Sequence, residues 1–202
     1  MIDQDTRKNY FENLLSIKPN NHSTKSTASN KKILRSQWIN TKLGLMLSIA
    51  DDKYLYLLDF INSLKLEQKI KRLANQTKAI ITFGFSILHR SIQHELDLYF
   101  QGNLSRFTIP IFHTGSEFQK RIWEFLIKIP SGITHSYIEL ASNLNIANAV
   151  RAVANANGSN KIAIIVPCHR IVGSNNKLGG YSGGIENKRF LLEHERSITK
   201  FG

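Results

Sequence analysis

Ser136-Tyr137-Ile138-Glu139-Leu140-Ala141-Ser142-Asn143-Leu144-Asn145-Ile146-Ala147-Asn148-Ala149-Val150-Arg151-Ala152-Val153-Ala154-Asn155-Ala156-Asn157 is the stretch whose reading decides the fold. Ser136, followed three residues later by Glu139, opens a short helix over 137–144, and Asn145-Ile146 turn the chain into another over 147–157. Two short helices joined by a tight turn make a helix-turn-helix. In its second helix almost every side chain is small except Arg151. Small side chains bring a helix backbone close to whatever it faces, and most Ala-rich helices face another helix. A formal net charge of +12 and one projecting cation point here to a nucleic-acid duplex. A helix in the major groove usually carries several long base-reading side chains, so this set favours the minor groove and weak sequence preference.

Downstream lies Ile162-Ala163-Ile164-Ile165-Val166-Pro167-Cys168-His169-Arg170, which holds the only cysteine of the chain. An apolar, β-branched run delivers a proline, which ends regular structure, and a thiol, an imidazole and a guanidinium follow at once. A free thiol with a pKa of about 8.5 is only slightly ionised at neutral pH, and a nearby base or cation raises that fraction. His169 and Arg170 offer one of each, although sequence neighbours need not meet as side chains, so a relay through water or a third group fits as well. A lone cysteine is more often a small buried hydrophobe. The setting of Cys168 between Pro167 and His169 favours the nucleophile. Residues 173–184 form a glycine-rich loop around Tyr181. It lacks the Gly-Lys-Ser/Thr ending of a P-loop and reads as a close-fitting wall with an aromatic ring for a flat ligand. A last helix spans 185–195, with Phe190, Leu191 and Leu192 inward.

Upstream, Ser116 with Gln119 forms a capping-box pattern before a helix whose apolar face is Phe118, Ile122, Trp123, Leu126 and Ile127. Short strand-like runs over 33–41, 43–50 and 54–60 predict an antiparallel meander, and helical spacing marks 65–77 and 85–100. Residues 107–112 read as a return strand or an extended connector, and no catalytic constellation precedes them. Residues 1–31 are polar and rich in Asn, Lys and Ser, which predicts a mobile basic tail with room for a short helix around 10–15. The expected class is α+β: a tail over 1–31, a small N-terminal α/β domain with an antiparallel sheet over 32–112, and a mainly helical domain with the helix-turn-helix over 113–202.

The 42% hydrophobic content is ordinary for a globular chain. No apolar run nears the roughly 20 residues that span a bilayer, and the start lacks the order of a secretory signal. A cytoplasmic protein without membrane association is expected. One cysteine can form neither an internal disulfide nor a Cys-rich zinc site. His89 and His94, five apart, miss the spacing that would place two ligands on one helix face. No metal or cofactor is expected.

Pro167-Cys168-His169-Arg170, with Asn160 before it and Tyr181-Ser182-Gly183-Gly184 and Leu191-Leu192-Glu193-His194-Glu195 after it, resembles the O6-alkylguanine-DNA alkyltransferase family. The resemblance extends through Phe118-Gln119, Ile129-Pro130-Ser131-Gly132, Ser136-Tyr137, Leu140-Ala141 and Val150-Arg151-Ala152-Val153, covering roughly residues 112–196. It is nearest in pattern to the C-terminal half of the bacterial adaptive-response protein. The likeness implies direct repair, with double-stranded DNA held at the minor groove, an O6-alkylguanine flipped into a pocket, and irreversible single-turnover transfer of the alkyl group to sulfur. O4-alkylthymine is a further possible substrate. It implies Cys168 as acceptor, His169 as water-mediated base, Glu195 as the group that orients and charges the imidazole, and Asn160 as the clip of the thiol turn. Arg151 would fill the gap left by the base, with Ala152 beside it on the DNA. Tyr137 would crowd a phosphate and donate to the purine. Tyr181, Ser182 and the carbonyls near Val166 and Ile171 would form the base pocket, and Arg170 is placed with the DNA-binding residues. A monomer with no obligate protein partner is implied. Asn145-Ile146-Ala147-Asn148 replaces the Gly and Pro often found before the recognition helix, and the cysteines of the zinc site that some members carry are absent.

Two other functions compete. A DNA-binding module that flags lesions without repairing them would be expected to lack the cysteine. A Cys-His hydrolase would need an oxyanion site and water access for turnover.

Overall fold

The alternation of apolar residues along the N-terminal strands builds a sheet with two buried faces. In the computed structural model, which describes residues 4–16 and 31–199, β1 (Ile33–Thr41), β2 (Gly44–Ala50) and β3 (Leu55–Phe60) form the expected antiparallel meander. A fourth strand, β4 (Ile80–Phe83), was not anticipated; it pairs parallel to β1 and gives the order β3-β2-β1-β4. Its four residues are too few to show a period, and they are reached through α2 (Leu66–Thr77), the crossover that a parallel pair needs.

Successive strand residues point to opposite faces. Met46, Leu58 and Phe60 join one core with Leu88, Ile92, Leu96 and Tyr99 of α3 (Ile87–Phe100). Leu47, Ile49 and Leu57 join another with Leu66, Ile70 and Leu73 of α2. The second core also takes Phe11 and Leu15 from α1 (Gln4–Ser16). The mobile tail is therefore corrected over this segment. Two apolar side chains one helical turn apart, with Trp38 Nε1 donating to Glu12 Oε1 at 2.8 Å, dock a helix whose remaining surface is polar. Residues 1–3 and 17–30, which carry the rest of that reading, lie outside the described residues.

The first core continues without a break into the second half of the chain. There α4 (Glu117–Lys128) supplies Ile122, Trp123 and Leu126, α5 (Tyr137–Asn143) Leu140 and Ala141, α6 (Val150–Gly158) Val153 and Ala156, and α7 (Ile185–Thr199) Leu191. Both capping boxes form, Ser116 with Gln119 and Ser136 with Glu139. Between α5 and α6 the chain turns at Asn145, φ 58°, and enters α6 through a single 3-10 turn, Ala147–Ala149. Asn is among the residues that accept this left-handed backbone at low cost, so the turn forms without a glycine. The helix predicted over 147–157 thus begins as a tighter turn.

Edge strand β3 joins the two halves. Leu55 N donates to Pro110 O and Phe112 N to Leu55 O, so residues 107–112 are an extended connector and not a strand of the sheet. Leu58 N donates to Lys161 O and Ala163 N to Leu58 O. The apolar run after Asn160 therefore makes one β-bridge and then folds into a tight turn, with Ile164 at φ 69°. A β-branched residue in that region is strained, at a cost on the order of 1–2 kcal/mol.

Replacing Phe11 with Ala should lower the unfolding free energy by about 3 kcal/mol, the lower end for a buried Phe. Urea denaturation monitored by circular dichroism checks this, and an unchanged midpoint would show that α1 is not docked.

Candidate active site

Glu195 on α7 is fully buried, and a buried carboxylate must be satisfied by donors. Arg170 grips it with two parallel bonds, Nε to Oε2 and Nη2 to Oε1, both 2.9 Å, while Arg170 Nη1 donates to Ile129 O. Tyr99 Oη donates to Oε1 at 2.9 Å, Gly132 N to Oε2 at 3.2 Å, and His169 Nε2 lies 2.9 Å from Oε1. Burial pushes Glu195 up, but His169 and Arg170 outweigh it and hold the carboxyl well below its usual range. It is a permanent anion.

An ionised carboxylate only accepts, so the proton on His169 belongs on Nε2 and the lone pair on Nδ1. Nδ1 is buried and has no hydrogen-bond partner among the described residues. Burial lowers the affinity of the imidazole for a second proton against the pull of Glu195, and Arg170 adds to that lowering. His169 is thus a neutral base with its accepting atom open.

Cys168 opens a 3-10 turn, Cys168–Arg170, directly after Pro167. The side chain of Asn160 clips this turn: its Nδ2 lies 2.9 Å from Val166 O, 3.1 Å from Ile162 O and 3.2 Å from Cys168 Sγ, and its Oδ1 accepts from Ile162 N. Burial pushes the thiol up and the Asn160 bond only partly opposes it. The resting sulfur is therefore a protected thiol, and the cation next in sequence does not ionise it, because Arg170 is committed to Glu195. The cations whose charge bears on the sulfur are Lys69 and then Lys188, which is fully buried on α7 and donates to Ile171 O at 2.6 Å.

The sulfur opens into a cavity of about 350 Å³ bounded by Tyr137, Asn157, Asn160, Tyr181 and Ser182 on one side and by residues 63–65 on the other. That volume falls in the range of about 300–1,000 Å³ usual for small-ligand sites. Tyr181 stands edge-on to His169 and Phe60, and its buried hydroxyl has no partner among the described residues. Gly183 allows this packing, because a Cβ there would sit 2.4 Å from Phe60 Cδ2. Burial raises Tyr137, and Cys168 raises it further, so its hydroxyl remains a donor. Arg151 and Ala152 lie exposed at the start of α6, outside the cavity.

Three sequence-based expectations are corrected. Arg170 is buried in the carboxylate cluster and does not face DNA. Ile171 does not line the cavity and its carbonyl is taken by Lys188; the carbonyl of Val166 likewise serves Asn160 and Cys168 N. The N-terminal half does contribute, through Tyr99 and residues 63–65, which no local motif marked. Among the described residues no group of three or more His, Cys, Asp or Glu side chains could hold a metal, and no helix is long and apolar enough to cross a membrane.

Residues 117–197 match the family model for the 6-O-methylguanine DNA methyltransferase DNA-binding domain. A methylated-DNA–protein-cysteine methyltransferase of Mycobacterium tuberculosis is 50% identical over 103 residues, which are 51% of this chain and 62% of that protein. The matched part thus spans less than two thirds of that relative. One from Methanosarcina barkeri is 38% identical over 159 residues, 79% of this chain and 95% of that protein. A crystal structure of Mycobacterium tuberculosis OGT in complex with DNA superposes with a TM-score of 0.68 at 36% identity, covering 82% of this chain and 94% of that one.

Glu195→Gln should leave Arg170 facing a neutral group and destabilise the fold by about 3–5 kcal/mol. The wild-type carboxyl binds its proton more weakly folded than unfolded, where its pKa is about 4.3. The unfolded chain therefore takes up more protons below about pH 4, and stability falls as pH drops through that range. Urea titrations between pH 3 and about 7 should show this acid loss reduced in the variant; parallel curves would remove Glu195 as its source.

Proposed function

The chain belongs to the O6-methylguanine-DNA methyltransferase family, and from that membership we propose that it repairs double-stranded DNA directly, moving the alkyl group of O6-alkylguanine onto Cys168. The observation that carries this reading is a thiol at the floor of a base-sized cavity, beside an imidazole whose accepting nitrogen is open. The mycobacterial neighbour is described in complex with DNA, and the helix-turn-helix here offers Arg151 and Ala152 on the exposed face of α6.

The target base leaves the duplex, and Arg151 occupies the space in the stack. Flipping costs a few kcal/mol and less for a mispaired base, so Arg151 offsets part of it. The base enters between Tyr181 and residues 63–65, with Ser182 at its edge. His169 Nδ1 takes the thiol proton through a bridging water, and the imidazolium is stabilised by Glu195. The sulfur attacks the alkyl carbon: the S–C bond forms, the C–O6 bond breaks and its electron pair returns to the purine. Tyr137 donates toward the purine as charge builds there. The proton lost by sulfur equals the one gained by the restored guanine, so no redox partner or cofactor enters. A thioether has no ready route to hydrolysis and the chain has no second cysteine, which supports one turnover per molecule. Every named group comes from a single chain, so a monomer suffices.

Incubating the protein with a duplex carrying O6-methylguanine should add one methyl group to Cys168, saturating at one per chain, as read by intact mass and peptide mapping. An unchanged mass with tight lesion binding would favour a lesion-flagging module instead. Arg151→Ala should slow transfer from duplex by about 10-fold or more, since it removes at least about 1.4 kcal/mol from the flipped state, yet leave transfer from the free base nearly unchanged. Equal slowing of both would remove Arg151 from flipping.

A further inference from the structure

A second cavity, about 530 Å³, lies beside the first, between α2, α4 and α6. Its lining includes Lys65, Lys69, Arg72 and Lys161 and no carboxylate. Lys69 is neutralised from behind by Asp59 at 2.7 Å. Lys161 is buried and gives its protons to neutral oxygens only, those of Gln76 and Thr114. Burial, and after it the charges of Arg72 and Lys69, lower Lys161 to about 8, and no carboxylate in the lining offsets Arg72 and Lys65. Arg72 and Lys65 are exposed at its rim.

Asn155 also lines this groove, and it lies four residues after Arg151, on the same face of α6. A duplex seated on Arg151 therefore meets Asn155 next and then the cations of α2. The first cavity shares Lys65, Ala154 and Gly158 with the second, so the two open side by side.

We propose that this groove binds the phosphodiester backbone of the DNA strand beside the lesion, making α2 of the N-terminal half a second DNA contact. The inference rests on the DNA-repair reading above. Arg72 and Lys65 supply donors to phosphate oxygens, while Lys161, whose protons are committed, supplies field. Phosphate contacts of this kind hold register and carry no sequence information.

The test is duplex binding by fluorescence anisotropy over a range of KCl, using the full chain, Arg72→Ala and Gln68→Lys, with Tm as the check on folding. Each phosphate contact contributes about 0.9 to the slope of log affinity against log salt. Arg72→Ala should make the slope shallower by about that amount, and Gln68→Lys, which adds a cation to the groove lining, should steepen it. Slopes equal to wild type in both folded variants would overturn the proposal. Inorganic phosphate titrated at constant ionic strength should leave Trp123 fluorescence without a saturable change; saturation that Arg72→Ala abolishes would assign the groove to free phosphate instead. Methylation of wild-type Cys168 is measured in parallel: its failure with altered slopes would sink the repair reading and leave the groove standing.

Discussion

The carboxylate of Glu195 is the constraint on which the site depends. Buried without solvent, it needs donors from every side, and it draws them from α3, from the loop at Gly132 and from the turn that carries the thiol. Those bonds settle two properties together: the place of the 168–170 turn and the tautomer of His169. The neutrality of the imidazole comes first from its burial, with the charge of Arg170 as a smaller addition, and both act against the pull of the carboxylate at 2.9 Å.

The sheet acts on the same turn from the opposite side. Through Leu58 it grips the chain at Lys161 and Ala163, and Asn160 then closes the remaining distance to Cys168. Strain at Ile164 is tolerated because the surrounding bonds and the shared core over-determine it. We therefore read the boundary near residue 112 as a division of labour, with one packed core beneath both parts. Burial keeps the resting sulfur protonated.

Local rules made the C-terminal half legible. Ser116 with Gln119, Ser136 with Glu139 and the turn at Asn145 each act within four residues, and each formed where the residue types placed it. The thiol, Asn160, Tyr137 and Tyr181 were visible through the motif that frames Cys168. What escaped depends on distant partners. Tyr99 reaches Glu195 across 96 positions. β4 exists because β1 offers a free edge, and α1 docks because the sheet leaves a face for Phe11. Arg170 was placed with the DNA-binding residues, yet its bidentate pair with Glu195 buries it. The run at Ile162 looked strand-like from its β-branched composition, but only one residue of it found an edge to pair with.

The most direct measurement is the 15N chemical shift of the two ring nitrogens of His169 in the free protein at neutral pH. If the Glu195 cluster sets the base, Nε2 carries the proton and Nδ1 shows the shift of a bare, accepting nitrogen. A protonated Nδ1, in the other tautomer or in an imidazolium, would contradict it, because no lone pair would then be available for the thiol proton.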